Sequence, residues 1–126
     1  GMAERYPVPN ACRDLALIVA EFHTHCHRAL ELRPKTILKV LEKTDAFRRP
    51  GRFDQFLVAC EADARGRAGL ENRRYEQAAY LRGAFAAAAA IDAAGIAKAT
   101  DERKIPAAIR RARKQAISEF VRRYEP

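Results

Sequence analysis

The sequence predicts an all-α protein, a bundle or array of about five helices, on three observations. No run of β-branched and aromatic residues alternates with period two. Ala, Leu, Arg, Glu and Lys, residues that cost little in a helix, dominate the chain. Apolar residues recur at three- and four-residue steps, which gathers them onto one helical face. At 126 residues, 48% of them hydrophobic, the chain is long enough for one core and too short to suggest two. Residues 1–126 are therefore read as a single helical domain, with Gly1 ahead of Met2 set aside as the form a cleaved purification tag leaves behind.

The first helix is expected to start with Asn10 as its cap and to run to about Leu32, with Leu15, Ile18, Val19, Phe22 and Cys26 inward. Pro34 suits the first turn of a second, short helix ending near Thr44, because the missing N–H would be unpaired there. Its stripe is Ile37, Leu38 and Leu41. Pro50 and Gly51 punctuate a loop before a third helix, lined by Phe53, Phe56, Leu57, Cys60 and Ala64 and stopping at Gly66 or Gly69. A fourth helix, Tyr75 to Ala93, turns Ala78, Leu81, Phe85 and Ala88 inward. After a turn and loop from Gly95 to Ile105, Pro106 opens a last helix that reaches Arg123 and buries Ile109, Ile117, Phe120, Val121 and Tyr124.

The formal charge is +8 and the pI about 9.9, which favours a polyanionic partner. From Lys98 onward nine Lys or Arg face four Asp or Glu, so the excess is concentrated at the C-terminal end. The longest uninterrupted apolar run, Phe85 to Ile91, is far short of the roughly 20 residues that span a bilayer. No membrane partner and a cytoplasmic location are expected. Cys12, Cys26 and Cys60 lack C-x-x-C spacing and fall in apolar patterns, so free thiols are expected rather than a zinc knuckle.

His23 and His27 stand one helical turn apart and could face one metal, but no His-Glu-x-x-His pattern accompanies them. Half-buried histidines flanking a core stripe are the plainer reading, leaving His23 a weak metal candidate. Glu61 precedes Arg65, and Asp63 precedes Arg67, by one turn, the orientation that favours intrahelical pairing. With Gly66 ending the helix, Glu61, Asp63 and Gly66 read either as a hydrogen-bonded junction or as an ordinary solvated face. Arg48, Arg49 and Arg52 form one basic cluster and Arg110, Arg111, Arg113 and Lys114 another; such clusters position phosphates, although solubility explains them equally plainly. A Gly-rich phosphate loop, a G-x-S-x-G elbow and an Asp-x-Asp pair are all missing, so no residue here is read as catalytic.

Several segments together carry a family resemblance: Val8-Pro9-Asn10, Val19-Ala20-Glu21-Phe22-His23 with His27, Pro34-Lys35-Thr36-Ile37, Asp45 to Pro50, and Glu61-Ala62-Asp63-Ala64-Arg65-Gly66-Arg67 with Gly69 and Glu71. From Val8 to about Gln77 the chain resembles the C-terminal helical region of bacterial tRNA nucleotidyltransferases, the CCA-adding enzymes that carry an HD domain behind a nucleotidyltransferase head. Ile105-Pro106 and Arg110 to Ile117 are similar to the family's terminal helix, with charged residues where its preceding glycines usually stand.

The resemblance implies a parent that adds or repairs the 3′-terminal CCA of tRNA with CTP, ATP and a divalent metal such as magnesium. It implies that the catalytic head, and the defining His-Asp pair of the HD domain, lie upstream of Met2. It also links the HD domain to metal-dependent phosphohydrolase activity, with His23 matching a metal-associated His. The next position, often Asp in the family, is Thr24 here, a poor ligand for a hard cation. The expectation is a packing and tRNA-contacting fragment that needs no cofactor of its own and is inactive alone, partnered by tRNA and the missing N-terminal domain. Its expected tRNA contacts are Arg48, Arg49, Arg65, Arg67, Arg110, Arg111, Arg113 and Lys114. A stand-alone basic module binding RNA or DNA is the alternative, and a protein-interaction bundle a third reading.

Overall fold

The computed structural model describes residues 10–66 and 75–124; Arg67, Gly69 and Glu71, and the side chain of Cys12, lie outside the described residues. The chain is all-α, with no strand among the described residues. Five helices of ten or more residues carry the fold: α1 (Asn10–His27), α2 (Pro34–Lys43), α3 (Pro50–Arg65), α4 (Glu76–Ala89) and α6 (Ile105–Arg123). A seven-residue helix, α5 (Ala93–Ala99), follows α4.

The boundaries depart from expectation in instructive ways. α1 ends at His27, and a 3₁₀ turn over Ala29–Glu31 replaces the expected final turn. Pro50 and Gly51 are not loop residues: Pro50 occupies the first turn of α3, where its absent N–H costs nothing. The expected fourth helix is cut at Ala90, and Asp92 caps α5 by accepting from the Gly95 amide at 3.0 Å. Taken as one segment, Glu76–Ala99 is long and apolar enough by composition to cross a membrane, which uninterrupted runs alone did not reveal. In the fold it is two short helices joined by a turn, and Ala78, Tyr80, Leu81, Ala84 and Ala88 of the first are buried.

α2 ends in a Schellman motif. The Ala46 amide donates to Leu41 O at 3.0 Å and the Asp45 amide to Glu42 O at 3.1 Å, with Asp45 at φ 57°. Ala46 and Leu41, the apolar pair that closes such a motif, are both fully buried. Thr44 is fully buried as well, and its hydroxyl donates within the helix to Val40 O at 2.9 Å and Leu41 O at 3.1 Å.

Phe22 and Cys26 of α1, Ile37, Leu38 and Leu41 of α2, Phe53, Phe56, Leu57 and Cys60 of α3, and Leu81 of α4 make the centre of the core. The periodicity had assigned all of these inward. Val40 and Tyr80, which it had not, are buried too. On α6 only Ile117 is fully buried, while Phe120, Val121 and, just past the helix end, Tyr124 pack at the margin. α4 and α6 come together at Gly83, where an added Cβ would stand 2.5 Å from Phe120 Cζ.

Candidate nucleic-acid interface and histidine junction

Two arrangements emerge where sequence patterns singled out residues. The first joins three helices at His27. Its Nε2 lies 2.9 Å from Asp63 Oδ2 in the last turn of α3, and its Nδ1 is hydrogen-bonded at 2.7 Å to the Tyr75 hydroxyl, next to the start of α4. The Gln77 amide of α4 donates to His27 O at 3.0 Å. The Tyr75 hydroxyl also reaches Cys26 Sγ at 3.3 Å, and the Cys60 thiol lies against Cys26. The hydrogen bond from Cys60 lowers the Cys26 thiol below its ordinary 9.0, against the raising effect of burial. Cys60 is raised by that same bond and by burial, and Tyr75 is raised by burial first and then by its bond to Cys26.

Asp63 is tied to His27 across 36 residues, while Arg67, its expected intrahelical partner, lies outside the described residues. Glu61 does pair within the helix, its Oε2 standing 2.7 Å from Arg65 Nη2. Gly66 caps α3 with φ −73°, a right-handed conformation open to any residue, so no positive φ explains that glycine. His23 turns its Nδ1 back to Val19 O at 3.0 Å and meets the His27 ring edge-on at 5.9 Å. Among the described residues no three His, Cys, Asp or Glu side chains converge as a metal-binding set. The described residues therefore do not by themselves fit the divalent cation that the resemblance implies.

The second arrangement is a basic face where the end of α2 and the loop after it lie along α6. Arg110 holds Glu42 with two bonds, Nε to Oε2 at 2.8 Å and Nη2 to Oε1 at 3.2 Å. These bonds, and the charge of Glu42, raise the Arg110 pKa above its ordinary value. One turn further on, Arg113 Cζ sits 3.8 Å above the Phe47 ring. Arg48 and Arg49 follow Phe47 directly and lie 4.0 and 3.7 Å from Asp45. Arg110, Arg111 and Lys114, with Ala107, line a shallow depression of about 240 Å³.

The sequence offered these cations as two clusters, whereas the fold makes them neighbours. Two residues do not join as expected. Arg52 turns away toward α1, 4.0 Å from Asp14, and its side chain is 18% exposed. Arg65 stands on the other arrangement, engaged with Glu61. Phe47 is the residue that sequence reading passed over in this face. An aromatic directly ahead of two arginines was the available signal.

With this geometry in place, the known relatives decide the family. A protein named multifunctional CCA protein from Thioalkalivibrio sulfidiphilus is 61% identical over 92 residues, 73% of this chain. Those from Burkholderia multivorans and Pseudomonas aeruginosa are 51% and 48% identical over 93% of it. This chain matches the C-terminal region of the multifunctional CCA proteins. It spans only 22 to 29% of the length of these relatives, so it corresponds to a piece of a CCA protein. No family model and no solved structure matches the chain.

Proposed function

We propose that this chain is the C-terminal helical region of a cytoplasmic CCA-adding tRNA nucleotidyltransferase, and that it contributes packing and tRNA-backbone contacts rather than bond-making. The relatives' name supports a CCA-protein parent, and the resemblance implies for that parent addition or repair of the 3′-terminal CCA with CTP, ATP and a divalent metal held elsewhere in it. The observation that carries the RNA contact is the continuity of the basic face. Arg110 is held by Glu42, the Arg113–Phe47 contact brings the segment bearing Arg48 and Arg49 against α6, and Arg111 and Lys114 line the adjoining depression. Arginines whose forks are already oriented lose less freedom when they meet phosphate. Such a face reads charge and backbone shape, not base sequence.

The parent region is an HD-type domain on this reading. With Thr24 in place of the family's Asp, and the defining His-Asp pair expected upstream, phosphohydrolase chemistry does not reside in these residues.

The experiment is tRNA binding by the 126-residue chain as a function of salt. Micromolar affinity with log K falling linearly against log salt is expected, and Arg111→Ala and Lys114→Ala should each reduce the slope by about 0.9. Binding that is absent, or indifferent to salt, would overturn the contact role. Incorporation of labelled CMP or AMP into tRNA by this chain alone would overturn the assignment of bond-making to the rest of the parent.

A further inference from the structure

The two basic segments are joined through one stacked pair. Phe47 rests at 5.5 Å on Phe85 of α4, and Phe85 in turn meets Phe53 of α3 at 5.3 Å, so the Phe47 ring is the outer member of a row anchored in the core. Arg113 covers it at 3.8 Å. A guanidinium at that range is attracted by the ring's negative face, and its flat shape matches the ring in a way an ammonium cannot. Arg113 is half-buried, and its Nε is shut from water with no hydrogen-bond partner. A donor meant for phosphate is better left open to solvent. Laid on a ring, it is given up for packing.

We propose that Arg113 is a positioning residue that does not itself meet RNA: stacked on Phe47, it holds Arg48 and Arg49 beside Arg110, Arg111 and Lys114, so that two segments act as one phosphate-contacting face. The proposal rests on the reading of that face as a tRNA contact, and it reverses the role that charge alone suggested for Arg113. The turn at Asp45 sets the path of the loop, and the Arg113 stack fixes where the loop lies against α6.

The test compares tRNA affinity of the wild-type chain with Arg113→Lys, Arg113→Ala, the pair Arg48→Ala/Arg49→Ala, and the triple variant. Arg113→Lys keeps the charge and loses the planar stack, so it should weaken binding about fivefold, as much as Arg113→Ala. In the triple variant the losses should fall short of the product of the separate ones, because Arg113 acts through the loop. Wild-type affinity in Arg113→Lys, together with a salt slope reduced by about 0.9 in Arg113→Ala, would make Arg113 a phosphate contact and overturn the proposal. So would fully multiplicative losses. A readout without RNA separates the two levels: the Arg113 Hδ resonances should be shifted upfield by the Phe47 ring and should return to ordinary positions in Phe47→Leu. Their absence in the wild type would overturn the stack itself. Upfield shifts in a chain that binds no tRNA would leave the stack standing and overturn both the reading of the face and the role proposed within it.

Discussion

His27 and Asp63 are joined at 2.9 Å across 36 residues, so the last residue of α1 holds the last turn of α3. The same imidazole is bonded to Tyr75 at 2.7 Å, and a single side chain thus ties three helices at one junction. His27 is the more enclosed partner, with 17% of its side chain exposed against 49% for Asp63. His27→Ala should lower unfolding stability by about 2 kcal/mol, because it removes two side-chain hydrogen bonds, to Tyr75 and to Asp63, at a largely enclosed junction. Asp63→Asn, which still offers an oxygen acceptor, should cost less than half as much. Urea unfolding of both variants and of the double mutant checks this, and a coupling below about 0.5 kcal/mol would reduce the junction to independent contacts.

Gly83 inverts the usual rule for glycine in a helix. Gly→Ala inside a helix ordinarily stabilises by up to about 1 kcal/mol. Here the new methyl would stand 2.5 Å from Phe120 Cζ, and that ring is packed against Tyr80 and Tyr124 at 5.5 and 5.7 Å. Gly83→Ala should therefore destabilise by about 1–2 kcal/mol. Combining it with Phe120→Leu should return part of that loss. A thermal melt showing a higher midpoint for Gly83→Ala alone would contradict the close approach of α4 and α6.

At Asp45 the backbone outweighs the charges. The ion pairs with Arg48 and Arg49 are long, at 4.0 and 3.7 Å, and the arginines are exposed, so they contribute little. A φ of 57° at the position after the helix cap is the place for glycine. Asp45→Gly should be neutral or stabilising by up to about 1 kcal/mol, and Asp45→Ala destabilising by about 1 kcal/mol. The reverse order in denaturant melts would show the carboxylate to be the stronger factor.

Stability should fall on the alkaline side. Burial raises Tyr75 and Tyr80 above their ordinary 10.0, and the bond to Cys26 with burial raises Cys60 above its ordinary 9.0. Once pH exceeds these ordinary values, the unfolded chain releases protons that the folded chain still holds. Stability is then full below about pH 9 and declines as pH rises further. Lowering of Cys26 opposes the trend by one group. Melting midpoints between pH 8 and pH 11 test the sign, and Cys60→Ser with Tyr75→Phe should flatten the decline.

Much of this was legible along the chain. Helices at Pro34 and Pro106 followed from proline's tolerance of a first turn, and the stripes of α2 and α3 from spacing alone. The break between α4 and α5 was hidden, because a run of alanines continues on both sides of it and only the Asp92 cap marks the turn. Tyr80 was invisible as core because it lies beside Leu81 and is buried by its ring neighbours Phe120 on α6 and Tyr124 just past its end, at 5.5 and 4.6 Å. Composition located the cations but said nothing about which of them meet.

The sequence by itself determined the helical class, the inward faces of the helices, and the resemblance carried by Glu61 to Arg67 and its companions, since these depend on local periodicity, caps and motif order. Only the tertiary structure decided that Asp63 serves His27 across 36 residues, that Phe47 carries Arg113, and that two basic segments form one face. Such pairings span intervals that no helical period encodes. They are set by how buried faces pack, which brings distant turns within hydrogen-bonding or stacking range only once the core has closed.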